Sequence, residues 1–184
     1  SLKVAICNTN TIVRSYQDAE LGKIINSFDI KTSDGFPIAK SSSILYKNNQ
    51  GRVDGYNVFL STIRKGLSKN TSHYFFGSDE HILNKLEAQL KDMFPDINIK
   101  GSFSPPLGDY KELTKEECIK NIIKEKPDIV WVSLGFPKQE LFIDLLKKKH
   151  SIKSNLVGVG AVFEWVAGTK IKAPEFIANL GLEW

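Results

Sequence analysis

The sequence predicts an α/β fold: a Rossmann-like, mostly parallel sheet flanked by helices, in a single domain spanning residues 1–184. Three observations carry this. The strand-like Ser72–Phe76, the helical Glu80–Met93 and the strand-like Ile97–Gly101 make a β-α-β crossover of the length that joins parallel strands. Asp128–Leu134 is almost continuously apolar, as strands covered on both faces are. Glycine then recurs at three strand-to-helix turns, Gly77-Ser78, Leu134-Gly135-Phe136-Pro137 and Gly158-Val159-Gly160. Backbone N–H groups at such turns, at the positive ends of helices, suit phosphate.

Taken in order, Leu2–Cys7 is the first strand, and Asn8-Thr9-Asn10-Thr11 is polar turn material able to cap a helix. That helix is expected over Ile12–Ile25, with Ile12, Val13, Tyr16, Leu21, Ile24 and Ile25 at helical spacing. Ser27–Lys31 reads as a strand, Thr32–Ala39 as a turn, and a short helix follows through Ile44-Leu45-Tyr46. Asn48–Gly55 is basic and glycine-containing. Tyr56–Lys69 is a helix with Val58, Phe59, Ile63 and Leu67 on one face. Pro95 stops the 80–93 helix, and Ser102–Lys111, with Pro105, Pro106 and Gly108, reads as an exposed loop. Thr114 opens a helix with a capping-box pattern, ending near Lys126-Pro127. Lys138–Lys149 is a helix, Asn155–Gly160 the last core strand, and Ala161–Ala167 a short helix before a basic, Pro174-interrupted tail.

Composition narrows the partners. No apolar run reaches the length needed to cross a bilayer. Cys7 and Cys118 fit no metal or redox spacing and read as reduced thiols of a cytosolic protein. His73, His81 and His150 form no metal pattern. A net charge of +4 suits phosphate groups or an anionic membrane face and makes no case for nucleic acid. The leading Ser1 without Met points to native ends lying beyond this sequence.

The dinucleotide fingerprint Gly-x-Gly-x-x-Gly and the P-loop are both absent, which leaves a nicotinamide enzyme or an NTPase unsupported. Asp34, in Thr32-Ser33-Asp34-Gly35-Phe36-Pro37, lies where open α/β sheets keep their ligands, a position suited to a general base. The alternative, and locally the commoner one, is a helix N-cap. Arg52 beside Gly51 has the chemistry to clamp a phosphate, although a lone surface arginine usually does not. Gln139-Glu140 has the hydrogen-bonding groups to hold a sugar or base; a solvated helix face is the more frequent explanation. Gly158 and Gly160 serve equally as ligand-approach or close-packing glycines, and Trp165 is more often core than a stacking platform.

Together and in order, these pieces resemble the WecG/TagA/CpsF glycosyltransferase family. The resemblance rests on Asn8, Ser33-Asp34-Gly35, Gly51-Arg52-Val53-Asp54-Gly55, Phe76-Gly77, Leu134-Gly135-Phe136-Pro137-Lys138-Gln139-Glu140 and Gly158-Val159-Gly160-Ala161-Val162-Phe163-Glu164. Ala167–Pro174 and Leu180-Gly181-Leu182-Glu183-Trp184 look like its closing signature. The resemblance implies a membrane-associated, inverting transferase that moves a sugar from a UDP donor to a polyprenyl-diphosphate-linked sugar. It would work on the inner face of the plasma membrane, in teichoic acid, capsule or exopolysaccharide synthesis. It implies Asp34 as general base, Asn8 as a pocket residue, Arg52 for the diphosphate and Gln139 as a donor contact. Gly77, Gly135, Gly158, Gly160 and Glu164 complete the substrate-binding set. No cofactor is expected and, because no Asp-x-Asp sequence occurs, no divalent metal held in that common way.

Against the family pattern, Ile6 replaces a frequent Thr, Gly51 a Glu, Glu164 an Asp and Lys172 an Arg. These leave the donor sugar open. Relatives continue into a basic, amphipathic tail that meets the anionic membrane, so this chain alone is expected to show weak or no transfer. Apolar surface near Trp184 makes a homo-oligomer a further expectation. From another class, a noncatalytic nucleotide-sugar-binding relative would share every motif but lack turnover.

Overall fold

The computed structural model describes residues 1–171. Lys172, Pro174 and the Leu180–Trp184 signature lie outside the described residues.

Strands β1 (Lys3–Cys7), β2 (Ile30–Ser33), β3 (Ser72–Gly77), β4 (Asn98–Phe103), β5 (Ile129–Ser133) and β6 (Asn155–Gly158) form one sheet in the order β2-β1-β6-β5-β3-β4. Every pairing is parallel. All strands therefore end on one edge, and every predicted site residue stands at or just beyond it. The fold class is the one the sequence predicts.

Helices cover both faces. On one side Leu21 and Ile25 of α2 (Ala19–Asn26), Ile119 and Ile122 of α6 (Glu116–Glu125), and Phe142 and Leu146 of α7 (Lys138–Lys149) pack on Tyr74, Phe76, Val130 and Val132. On the other, Phe59 and Ile63 of α4 (Gly55–Gly66), Leu86 and Leu90 of α5 (Glu80–Met93), and Phe163 of α8 (Val162–Val166) meet Phe75, Trp131 and Val157. Trp165 is half-buried against this second side. Strand residues alternate between the two cores, which is why β3 and β5 are buried throughout. Within the second core Phe59 meets Trp131 edge-on at 4.8 Å. Trp131 Nε1 donates to Nδ1 of the buried His73 at 3.1 Å. Burial pushes the His73 imidazole down to about 4, so it is neutral at physiological pH.

Three local expectations are corrected. The helix expected over Ile12–Ile25 is two helices, α1 (Thr9–Gln17) and α2, because the Asp18 carboxylate accepts from Glu20 N and Leu21 N and starts a second helix. Ile12, Val13 and Tyr16, at core-like spacing, are exposed, Tyr16 at 91%. Thr114 caps nothing. Its buried hydroxyl donates to Lys111 O and closes a 3-10 turn over Glu112–Thr114, while α6 begins at Glu116 without a side-chain cap. The turn keeps Leu113 and Thr114 inside, and that burial outweighs the cap.

Candidate active site

In doubly wound sheets, ligands bind where neighbouring strands send their connections to opposite faces. Here β5 and β3 are such neighbours: α7, after β5, covers one face and α5, after β3, the other. A cavity of about 710 Å³ opens at that point, walled by the ends of β3, β5 and β6 and by the segment after β4. Of the predicted residues, Gly135, Gly160 and Glu164 line it. Lys138 and Lys170 are its basic lining residues, Asp79 and Glu164 its acidic ones, and Lys170 Nζ lies 3.5 Å from Glu164 Oε2.

The cavity edge is held by backbone that only particular residues permit. Gly77 has φ +110°, and a Cβ there would stand 2.3 Å from Ser133 O. Its absence lets Ser78 N donate to Ser133 O at 3.0 Å, closing the β3 turn onto β5. Ser133 Oγ donates to Gly160 O at 2.6 Å, tying the β5 end to the loop after β6. Gly160 itself has φ +59° with open space around it, so its role is conformational; Gly158 is the close-packing glycine.

Gln139 and Glu140 are not on a solvated helix face. Both are buried, Glu140 at 1% exposure, because the first turn of α7 tucks beneath the β6 end. Gly160 N donates to Gln139 Oε1 at 3.0 Å, and Gln139 Nε2 donates to Glu140 Oε1 at 2.8 Å. The Gln139 amide thus anchors the cavity-lining loop from below. Among the described residues Glu140 Oε2 has no hydrogen-bond partner, and desolvation pushes this carboxyl up to about 7. Burial, and next the nearby Glu140, push the Cys7 thiol up to about 11, so Cys7 is an unreactive core thiol.

A Cβ on Gly158 would stand 2.9 Å from Gln139 Nε2. Gly158→Ala is therefore expected to displace Gln139, break its bond to Gly160 and cost about 1 kcal/mol of stability. Urea unfolding would read that cost, and UDP titration would read a parallel loss of affinity.

Asn8, Asp34 and Arg52 form a second group, at the β1 and β2 ends, outside the cavity wall. Asp34 N donates to Cys7 O at 2.8 Å, and Val53 N to Ser33 O at 3.0 Å, so the Arg52 segment lies alongside the β2 end. Arg52 Nε stands 3.8 Å from Asp34 Oδ1, both side chains largely covered. Asp34 is not the helix cap. Gly35, with φ +88°, occupies the N-cap position of α3 (Phe36–Tyr46) without a side-chain bond. Asn8 does cap α1, its Oδ1 accepting from Thr11 N at 3.1 Å. Asp54 caps α4 through Asn57 N at 3.0 Å. The β2 end lies two strand positions from β6, or about 10 Å. The β5–β3 point where the cavity opens lies three to four strand positions from β2, or about 14–19 Å.

Sequence reasoning missed the wall contributed by Ser104 and Pro105–Leu107, read only as exposed loop, while Ser78 belongs to a turn expected to suit phosphate. Ser104 Oγ donates to Ser78 O at 3.0 Å, a link between β3 and β4 ends with no local sequence signal.

The family model described as "Glycosyl transferase WecG/TagA/CpsF family" matches residues 1–184. The chain is 29% identical over 182 residues to a Bacillus spizizenii protein named N-acetylglucosaminyldiphosphoundecaprenol N-acetyl-beta-D-mannosaminyltransferase. That alignment covers 98% of this chain and 68% of the relative. A Bacillus subtilis protein of the same name is 24% identical over 181 residues, with the same 98% and 68% coverage. A parallel α/β sheet with its glycine turns gathered at a switch-point cavity, and a match along the whole sequence, place this chain in the WecG/TagA/CpsF family of glycosyltransferases.

Proposed function

We propose that the protein transfers a hexose from a UDP-sugar to a polyprenyl-diphosphate-linked sugar, with inversion, in the synthesis of a cell-surface polysaccharide such as teichoic acid or capsule. The observation that carries this is the paired arrangement at one sheet edge: a carboxylate beside an arginine at the β2 end, and a glycine-walled cavity with two lysines at the switch point. The names of the two relatives support an N-acetylmannosamine-type sugar and a diphosphoundecaprenol-linked acceptor.

In this reading the nucleotide occupies the cavity lined by Gly135 and Gly160, its diphosphate approached by backbone at Gly135 and by Lys138 and Lys170. The sugar extends toward the β2 end. Asp34 takes the proton from the acceptor hydroxyl as its oxygen bonds to the anomeric carbon, and the bond to UDP breaks on the opposite face. The charge that develops on the leaving diphosphate is met by the lysines and backbone dipoles, so this step needs no divalent ion. Arg52, beside the Asp34 carboxylate, is the basic residue proposed to meet the acceptor's diphosphate. No helix among the described residues is long and apolar enough to cross a membrane. The proposed site of action is the inner membrane face, reached peripherally.

Calorimetric titration with UDP and a panel of UDP-sugars, without metal, tests the reading. Micromolar binding that favours one sugar is the expected result and names the donor. Absence of binding, both by this chain and by a longer form of the protein, would overturn it.

A further inference from the structure

Helices α1 and α3 both leave the sheet beside Asp34, starting within three residues of the adjacent β1 and β2 ends. Both turn apolar residues to solvent. Ile12, Val13 and Tyr16 of α1 are exposed although they sit at amphipathic spacing. In α3 only Ala39 is buried, while Ile44, Leu45 and Tyr46 stand 65%, 74% and 75% exposed in succession, and Phe36 is exposed at the other end. Apolar residues in this density are not ordinary surface.

Within the two helices and the segment that follows α3, the charges have one sign. From Asn8 to Gln17 and from Gly35 to Val53 there is no Asp or Glu, whereas Arg14, Lys40, Lys47 and Arg52 are present. Aliphatic and tyrosine side chains on helices bordered by Lys and Arg match the physics of an interfacial helix on anionic lipid. A protein partner of ordinary mixed charge gives no reason for the missing carboxylates.

We propose that the exposed apolar faces of α1 and α3, with Lys40 and Lys47, dock onto an anionic bilayer surface and bring the Asp34 edge to the lipid boundary. This rests on the reading above, in which the acceptor's diphosphate and sugar stand at that boundary. The surface lies within the described residues and is independent of any tail.

Co-sedimentation of the full 184-residue chain with vesicles of phosphatidylcholine alone, or in equal parts with phosphatidylglycerol, tests it. The chain is expected to pellet with the anionic vesicles. The combined change Ile44→Ser, Leu45→Ser and Tyr46→Ser should lower that partition roughly tenfold or more, with UDP affinity and circular dichroism unchanged. Lys40→Glu with Lys47→Glu should lower it too, in a salt-dependent way. Cys7 and Cys118 are buried, so Tyr46→Cys can carry a polarity-sensitive dye, whose emission should shift to the blue on anionic vesicles. Vesicle binding untouched by the triple change, or no binding at all, would overturn the proposal. So would concentration-dependent dimerisation that the triple change abolishes while vesicles are ignored, which would assign the face to a second copy. Vesicle binding without UDP binding, by this chain and by a longer form, would keep this surface and refute the transferase reading. UDP binding without vesicle binding would do the reverse.

Discussion

Asp34→Asn is expected to lower sugar transfer by roughly 10²–10⁴-fold while leaving UDP affinity unchanged, the range a positioned general base contributes. Asn keeps the size of the side chain and loses only its ability to take a proton. The cost falls on turnover because Asp34 stands at the β2 end, outside the cavity wall proposed for the nucleotide. The structure also removes the competing explanation for the residue: Gly35, not Asp34, occupies the N-cap position of α3, so the change takes no cap from that helix. Single-turnover transfer to a lipid-linked acceptor by a longer form of the protein, with parallel calorimetry, makes the measurement. Turnover surviving in Asp34→Asn would assign the proton to another group. A wild-type protein that binds UDP-sugar and never turns over would be the noncatalytic relative.

The second large effect is hidden in the wild-type protein. Glu140 is raised from 4.5 to about 7 by burial, so the folded state holds a proton that the unfolded chain releases. Its contribution to stability therefore falls as pH rises from about 4.5 to 7, by about 3 kcal/mol in all. His73 is lowered from 6.5 to about 4, so the unfolded chain takes up a proton that the folded state refuses. Its contribution rises by a similar amount, about 3 kcal/mol, as pH climbs from about 4 to 6.5. Over the shared range the two slopes oppose and nearly cancel.

Each variant should expose the other group. Glu140→Gln keeps an acceptor for Gln139 and leaves stability rising with pH through the His73 range. His73→Asn keeps an acceptor for Trp131 Nε1 and leaves stability falling with pH through the Glu140 range. Urea unfolding at several pH values between 4 and 8 reads both slopes. A Glu140→Gln profile parallel to the wild type would mean that Glu140 is ionised in its pocket.

Much of the fold could be read from the chain because its signals are local. The β3-α5-β4 unit announces itself through the Gly77 turn, the Asp79 cap and Pro95, each acting within a few residues. The α/β class follows from such units. Burial of short polar pairs does not, because it is decided across the chain. Gln139 and Glu140 are inside only because Gly158, nineteen residues on from Gln139, leaves room beneath β6. Ile12, Val13 and Tyr16 show the same limit from the other side. Helical spacing marks an apolar face, but what meets that face is set by where the next helix turns, and Asp18 turns α2 away. Asp34 was legible as a carboxylate at a strand end, whereas its arginine neighbour at 3.8 Å comes from eighteen residues downstream.

Strand β6 has a consequence for the order of assembly. In the sheet, β1 bonds only to β2 and β6, so residues 155–158 alone join the β2-β1 pair to the β5-β3-β4 block. Those residues leave the ribosome last among the six strands. During synthesis, then, the strand pair bearing the Asp34 carboxylate and the strands bearing the cavity are joined into one sheet only when this short strand arrives, although α7 already packs on α2 and β1 across the seam. The same seam is where thermal fluctuation would part Asp34 from the cavity, so slow amide exchange in β6 would report how long the two groups stay on one sheet edge.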